Sequence, residues 1–130
     1  MRGDETTQRL RSMADGWCCT VGMPDAELAG RIEADGVDIL VDLAGHSARN
    51  RLPVMNLRPA PVQVSWLGYP NTTGMGSVDY RFTDSIADPP GTQTFCTERL
   101  ENVPGGLTCY LPPRDAPEPG ELPALANGCI

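Results

Sequence analysis

Residues Val37-Asp38-Ile39-Leu40-Val41-Asp42-Leu43 leave the chain the fewest structural options. The run is short, mostly apolar and β-branched, and is bounded by Gly36 and Gly45, so it predicts a strand buried on both faces of a parallel sheet. The residues ahead of it predict a helix. Pro24 and Asp25 suit a first turn, Leu28 and Ile32 lie one turn apart on one face, and Gly36 marks the stop. After the strand, Ala44-Gly45-His46-Ser47 turns into residues 48–57, where Leu52, Met55 and Asn56 stand at near-helical spacing and Pro53 breaks or starts a short helix.

Arg58-Pro59-Ala60-Pro61 reads as a stiff connector, and Val62-Gln63-Val64-Ser65-Trp66 alternates as a strand does, with Trp66 pointing into the core. A glycine-rich loop follows from Leu67 to Gly76, then a third strand over 79–83, a turn at Asp88-Pro89-Pro90-Gly91 and a last short strand over 99–103. Residues 13–22, with Trp17, read as loop. The proline-rich, acidic stretch from Pro112 to Pro123 reads as extended linker. With 14 Gly and 13 Pro, many short elements are expected. Their order suggests an α/β fold, half of a doubly wound sheet, with functional loops at the carboxyl ends of the strands. Those ends are Gly45-His46, Leu67 to Pro70, and Thr83-Asp84.

The 130 residues carry 10 basic and 17 acidic side chains, a formal net charge of -7. That balance, with no local cluster among the scattered arginines, argues against a nucleic-acid partner. No apolar run approaches the length of a membrane span, and the polar residues 1–10 do not resemble a signal peptide, so a cytoplasmic protein is expected. The five cysteines, Cys18, Cys19, Cys96, Cys109 and Cys129, lack redox or zinc spacing and read as reduced structural thiols. Asn71-Thr72-Thr73 matches a glycosylation acceptor pattern that requires a secreted protein, and reads as coincidence. Generic phosphate-loop, dinucleotide, metalloprotease and nucleophile-elbow motifs are missing.

One long word stands out: Leu57-Arg58-Pro59-Ala60-Pro61-Val62-Gln63-Val64-Ser65-Trp66-Leu67-Gly68-Tyr69-Pro70-Asn71-Thr72-Thr73-Gly74, preceded by the block from Asp35 to His46. These residues resemble the protein O-linked N-acetylglucosamine transferases, in particular the bacterial members. Val78-Asp79-Tyr80, Thr83-Asp84, Glu98-Arg99-Leu100 and Pro104-Gly105-Gly106 extend the resemblance over nearly the whole chain. It implies a GT-B glycosyltransferase, in which two Rossmann-like domains enclose UDP-GlcNAc and GlcNAc passes to Ser or Thr hydroxyls of an acceptor protein, without a metal ion. By the same resemblance, residues 1–111 are part of the first catalytic domain. Residues 112–130 are a linker whose end, Leu122 to Ile130, approaches the first strand of a second domain absent here. The family's proposed base, a His upstream of this sequence, its diphosphate ligands and its tetratricopeptide repeats are also absent. The chain alone is therefore expected to be inactive, and to self-associate through its exposed interdomain face.

The resemblance assigns Leu67, Gly68, Tyr69 and Pro70 to the sugar pocket, with backbone groups at Leu67 and Gly68 meeting GlcNAc hydroxyls. Gly68 also reads as an ordinary strand-ending turn, and Tyr69 and Pro70 as loop stiffeners. His46, the sole histidine, could polarise a hydroxyl or phosphate, yet eukaryotic relatives of the resembled family tend to have Tyr at the matching place, so it reads as structural or pocket lining and only a weak catalytic candidate. Thr72 and Thr73 offer hydroxyls near the pocket or simply make a polar loop. Asp38 reads as structural, and Asp79 and Asp84 as caps or partners of Arg81. Two rival readings are a sugar- or protein-binding module without catalysis and a gene fragment without function.

Overall fold

Acidic residues at the start of a helix and a basic one at its end complement the helix dipole, and Asp25, Glu27 and Arg31 occupy those places in the second helix of the chain. The computed structural model describes residues 4–108, 110, 112, 113 and 115–128. In chain order the elements are α1 (Glu5–Ser12), α2 (Asp25–Ala34), β1 (Ile39–Asp42), α3 (Leu52–Asn56), β2 (Val62–Ser65), β3 (Tyr80–Thr83), a 3-10 turn (Thr92–Phe95), β4 (Arg99–Asn102) and α4 (Pro123–Asn127). The four strands form one parallel sheet in the order β1-β2-β3-β4, the α/β arrangement expected.

Pro53 starts rather than breaks α3, standing in its first turn, where a missing N–H costs nothing. Leu28 and Ala29 of α2 pack against Val54, and Leu52 and Met55 pack against Val78, with Leu40 of β1 beneath them. Arg51 fastens the two helices. Its guanidinium reaches the Asp25 carboxylate at 2.5 Å and the carbonyls of Thr20 and Met23 at 2.7 and 2.8 Å. The fully buried Gln63 does the same for β2, donating to the carbonyls of Met55 and Ser77 at 2.8 and 2.6 Å.

Three sequence expectations need correction, and one element has no counterpart among them. First, β1 is an edge strand, and Ile39, Val41 and Leu43 are 59%, 38% and 54% exposed. An apolar run reports that a strand can be buried, not what lies beside it. Second, α4 is a helical turn where an extended approach to a strand was expected, Pro123 opening it. Third, Asp79 pairs with Arg58 at 2.9 Å rather than with Arg81, which is buried against Asp88 at 2.6 Å. The element without a counterpart is α1, unforeseen because it buries no residue fully; it is held by its ends, with the Asp4 carboxylate accepting from Thr7 N–H at 2.7 Å. Of the cysteines, Cys18 and Cys19 are free and exposed and Cys96 is free and half-buried; Cys109 and Cys129 lie outside the described residues. The linker boundary at Leu111 and the terminal Ile130 lie outside them too. Trp66 is only half-buried, its indole N–H donating to the Leu107 carbonyl at 3.2 Å and its ring edge-to-face with Phe82.

Candidate functional site

The carboxyl ends of parallel strands leave backbone groups for loops to use, and here the ends of β1 and β2 are folded onto each other. Asp42 closes β1, and its carboxylate accepts the Gly45 N–H at 2.6 Å, forcing a tight turn. Gly45 has φ 52°, and a Cβ on it would stand 2.3 Å from Cβ of Tyr69, so only glycine lets the two loops touch. The next residue, His46, lies edge-to-face against the Tyr69 ring at 5.3 Å, and its Nε2 is 2.8 Å from the Thr73 carbonyl oxygen.

On the β2 side the chain makes a three-residue γ-turn. Gly68 N–H donates to the Trp66 carbonyl at 3.0 Å across Leu67, which has φ 70°. Such a positive-φ turn is rare and strained, and strain of this kind gathers at ligand-handling loops. A Cβ on Gly68 would lie 2.0 Å from the Leu43 carbonyl oxygen, well inside contact distance of an atom held by backbone. His46, Leu67, Gly68 and Tyr69 are thus brought together by the ends of two adjacent strands. Pro70 is exposed and Thr72 half-buried.

Thr72 faces Glu98, a residue the sequence reading quoted but gave no role. Glu98 is fully buried, and its carboxylate accepts from Thr72 Oγ1 and Thr73 N–H at 2.6 Å each, from Thr73 Oγ1, and from Thr97 Oγ1 at 3.2 Å. Burial pushes this carboxyl up, yet the hydroxyls of Thr72 and Thr73 outweigh it and hold Glu98 below the ordinary glutamate range. Its partners lie 25 residues away in sequence or more, save its neighbour Thr97, so no local spacing announces it.

Asp84, just past the end of β3, spends its carboxylate on backbone N–H groups, those of Ala87 and Ile86 in the loop that follows and that of Leu107 beyond β4, which lower its pKa. Asp79 is pushed up by burial and pulled further down by Arg58 and the Gln63 N–H. All three carboxyls therefore bind protons more weakly folded than unfolded. Their contribution is fully present above the ordinary carboxylate range, near pH 4, and is lost as pH falls through the lower folded values. Thermal melts should accordingly hold steady from pH 7 to about 5 and fall steeply below about pH 4. Glu98→Gln should flatten part of that fall, and an unchanged acid limb would refute the assignment.

An open cavity of ≈ 490 Å³ adjoins His46, floored by Leu52, Pro53 and Met75 and edged by Asn50 and Asn56. A second, of ≈ 450 Å³, opens between Asp84, Ser85, Asn102 and Gly106 at the ends of β3 and β4. Among the described residues no group of three or more His, Cys, Asp or Glu is arranged to hold a metal ion, and no helix is long and apolar enough to cross a membrane.

Known proteins match this chain over the same region. The profile of glycosyl transferase family 41 covers residues 19–108. The chain belongs to glycosyl transferase family 41. It is 44% identical over its full length to the probable UDP-N-acetylglucosamine--peptide N-acetylglucosaminyltransferase SPINDLY of Arabidopsis thaliana, covering 15% of that protein. It is 42% identical to the Petunia hybrida protein of the same description, again over its full length and covering 14% of the relative. A solved structure of a mutant O-GlcNAc transferase from Thermobaculum terrenum superposes on 88% of the chain with a TM-score of 0.82 and 44% identity, covering 22% of that structure's chain. The parallel α/β unit is therefore a family 41 catalytic-region fold, and the chain spans well under a quarter of its relatives' length.

Proposed function

We propose that this family 41 chain supplies the sugar-facing part of a glycosyltransferase that moves GlcNAc from UDP-GlcNAc to Ser or Thr hydroxyls of an acceptor protein. Residues 1–111 form part of its first Rossmann-like domain, and 112–130 lead toward a second. The observation that carries this is the γ-turn at Leu67-Gly68, strained and pressed against the Leu43 carbonyl. A γ-turn bond is weak, so the Gly68 N–H can exchange the Trp66 carbonyl for a sugar hydroxyl while the turn keeps its place. Tyr69 and His46 wall the same spot, and Pro70 and Thr72 continue the loop around it.

The bacterial character of the chain is supported by His46 and by the likeness to the Thermobaculum terrenum enzyme. A cytoplasmic setting is supported by the free thiols of Cys18, Cys19 and Cys96. Self-association is supported by the open apolar edge at Ile39, Val41 and Leu43. The deciding experiment compares UDP-GlcNAc hydrolysis and peptide transfer by this chain with a longer protein that adds the upstream histidine and the second domain. Turnover only in the longer protein is expected. Donor binding without turnover in the longer protein would replace the enzyme with a binding module, and neither binding nor turnover would overturn the reading.

A further inference from the structure

The Glu98 carboxylate controls both peptide planes around Thr73. One oxygen accepts the Thr73 N–H, which fixes the plane before that residue. The other accepts the Thr72 hydroxyl proton, and the Thr72 oxygen in turn accepts the N–H of Gly74 at 3.0 Å and of Thr97 at 3.3 Å. The Gly74 N–H and the Thr73 carbonyl belong to one rigid peptide unit, so fixing the first aims the second. That carbonyl is the group that meets His46 Nε2 at 2.8 Å.

A carbonyl oxygen only accepts, so the neutral His46 ring must carry its proton on Nε2. Its Nδ1 is then an unprotonated acceptor, with no hydrogen-bond partner among the described residues, on an exposed ring beside Tyr69 and Gly68's turn. We propose that Glu98 is the positioning residue of this site: through Thr72 and Thr73 it locks His46 as the Nε2–H tautomer and so presents Nδ1 to a donor group, a sugar hydroxyl, at the Leu67-Gly68 turn. The sugar as occupant rests on the function proposed above. The tautomer and the role of Glu98 do not.

Because His46 is the sole histidine, ¹⁵N-histidine labelling of the 130-residue chain gives one pair of ring signals, read without any donor present. The wild type should show a protonated Nε2 and an unprotonated Nδ1 at a pH where the ring is neutral. In Glu98→Gln one acceptor oxygen becomes an NH2 donor, so the side chain cannot accept from both the Thr73 N–H and the Thr72 hydroxyl, and with the Thr72 oxygen already accepting two N–H groups half of the clamp fails. Its ring signals should move toward the average of both tautomers. Thr72→Val should do the same with Glu98 intact, whereas Thr72→Ser, which keeps the hydroxyl, should restore the wild-type pair. Glu101→Gln, which changes an exposed partner of Arg99, should leave the pair unmoved.

A wild-type ring already averaged or protonated on Nδ1 would overturn the proposal. So would wild-type signals in both Glu98→Gln and Thr72→Val. General loss of amide dispersion in the two variants would also count against it, because the contacts of the clamp are confined to residues 72–75, Thr97, Glu98 and His46. Success here with failed glycosyl transfer would separate the two claims, leaving Glu98 as the clamp of a site with another use.

Discussion

If the Leu67-Gly68 turn holds the sugar as proposed, Gly68→Ala should lower donor turnover of the longer protein by about 10²-fold, because displacing a substrate-positioning group by about 1 Å costs that much. The added methyl would sit 2.0 Å from the Leu43 carbonyl oxygen, an atom fixed at the end of β1, so it is the Leu67-Gly68 turn that must move. Overpacking of this kind costs roughly 1–3 kcal/mol, enough to distort the loop but not to unfold a domain held by its sheet. Gly76→Ala tests the locality of the effect, since its Cβ meets nothing within 4 Å and activity should survive. Equal loss in both variants would mean that the loop tolerates no side chain anywhere, and the close approach at Gly68 would explain nothing.

The second large effect concerns stability rather than chemistry. Arg81 and Asp88 have side chains only 3% and 7% exposed, and Thr83 Oγ1 donates to the same carboxylate. Removing one partner of such a pair leaves the other charged, buried and unpaired, at a cost of about 3–5 kcal/mol. Against total stabilities of roughly 5–15 kcal/mol, Asp88→Ala should bring the chain close to unfolding. The double variant Arg81→Met with Asp88→Ala should recover part of the loss, because no lone charge remains. Chemical denaturation of the two single variants and the double gives the coupling energy. Simple additivity would show that the pair contributes little, as exposed pairs do.

Short-range features were readable in the sequence. The strands β1 and β2 follow from largely apolar or alternating runs bounded by glycine and proline, and the second and third helices from capping chemistry and spacing. The burial of β1 was not readable, because the residues that would lie beside an edge strand leave no mark within it. Nor was α1, which buries no residue fully, so that no apolar stripe records it. At the site, His46 and the Leu67 to Thr72 loop were legible from a long motif, but their contact was not. It depends on Gly45 and Gly68 admitting a neighbour's atoms, and on Glu98 reaching across 25 residues to Thr73. Arg81 illustrates the same limit: its nearest acidic neighbours in sequence, Asp79 and Asp84, serve the Arg58 guanidinium and the backbone N–H groups of Ile86, Ala87 and Leu107, while Asp88 takes the pairing.

The claim at the centre is that the turn at Leu67-Gly68 meets the sugar. Amide signals from residues 1–130, segmentally labelled within a protein that includes the second domain, can be followed on adding UDP-GlcNAc and, separately, UDP. The amides of Leu67, Gly68 and Tyr69 should move with UDP-GlcNAc and stay nearly still with UDP. Equal shifts with both ligands would assign the turn to the nucleotide, and no shift at a donor concentration that saturates binding would remove it from the site.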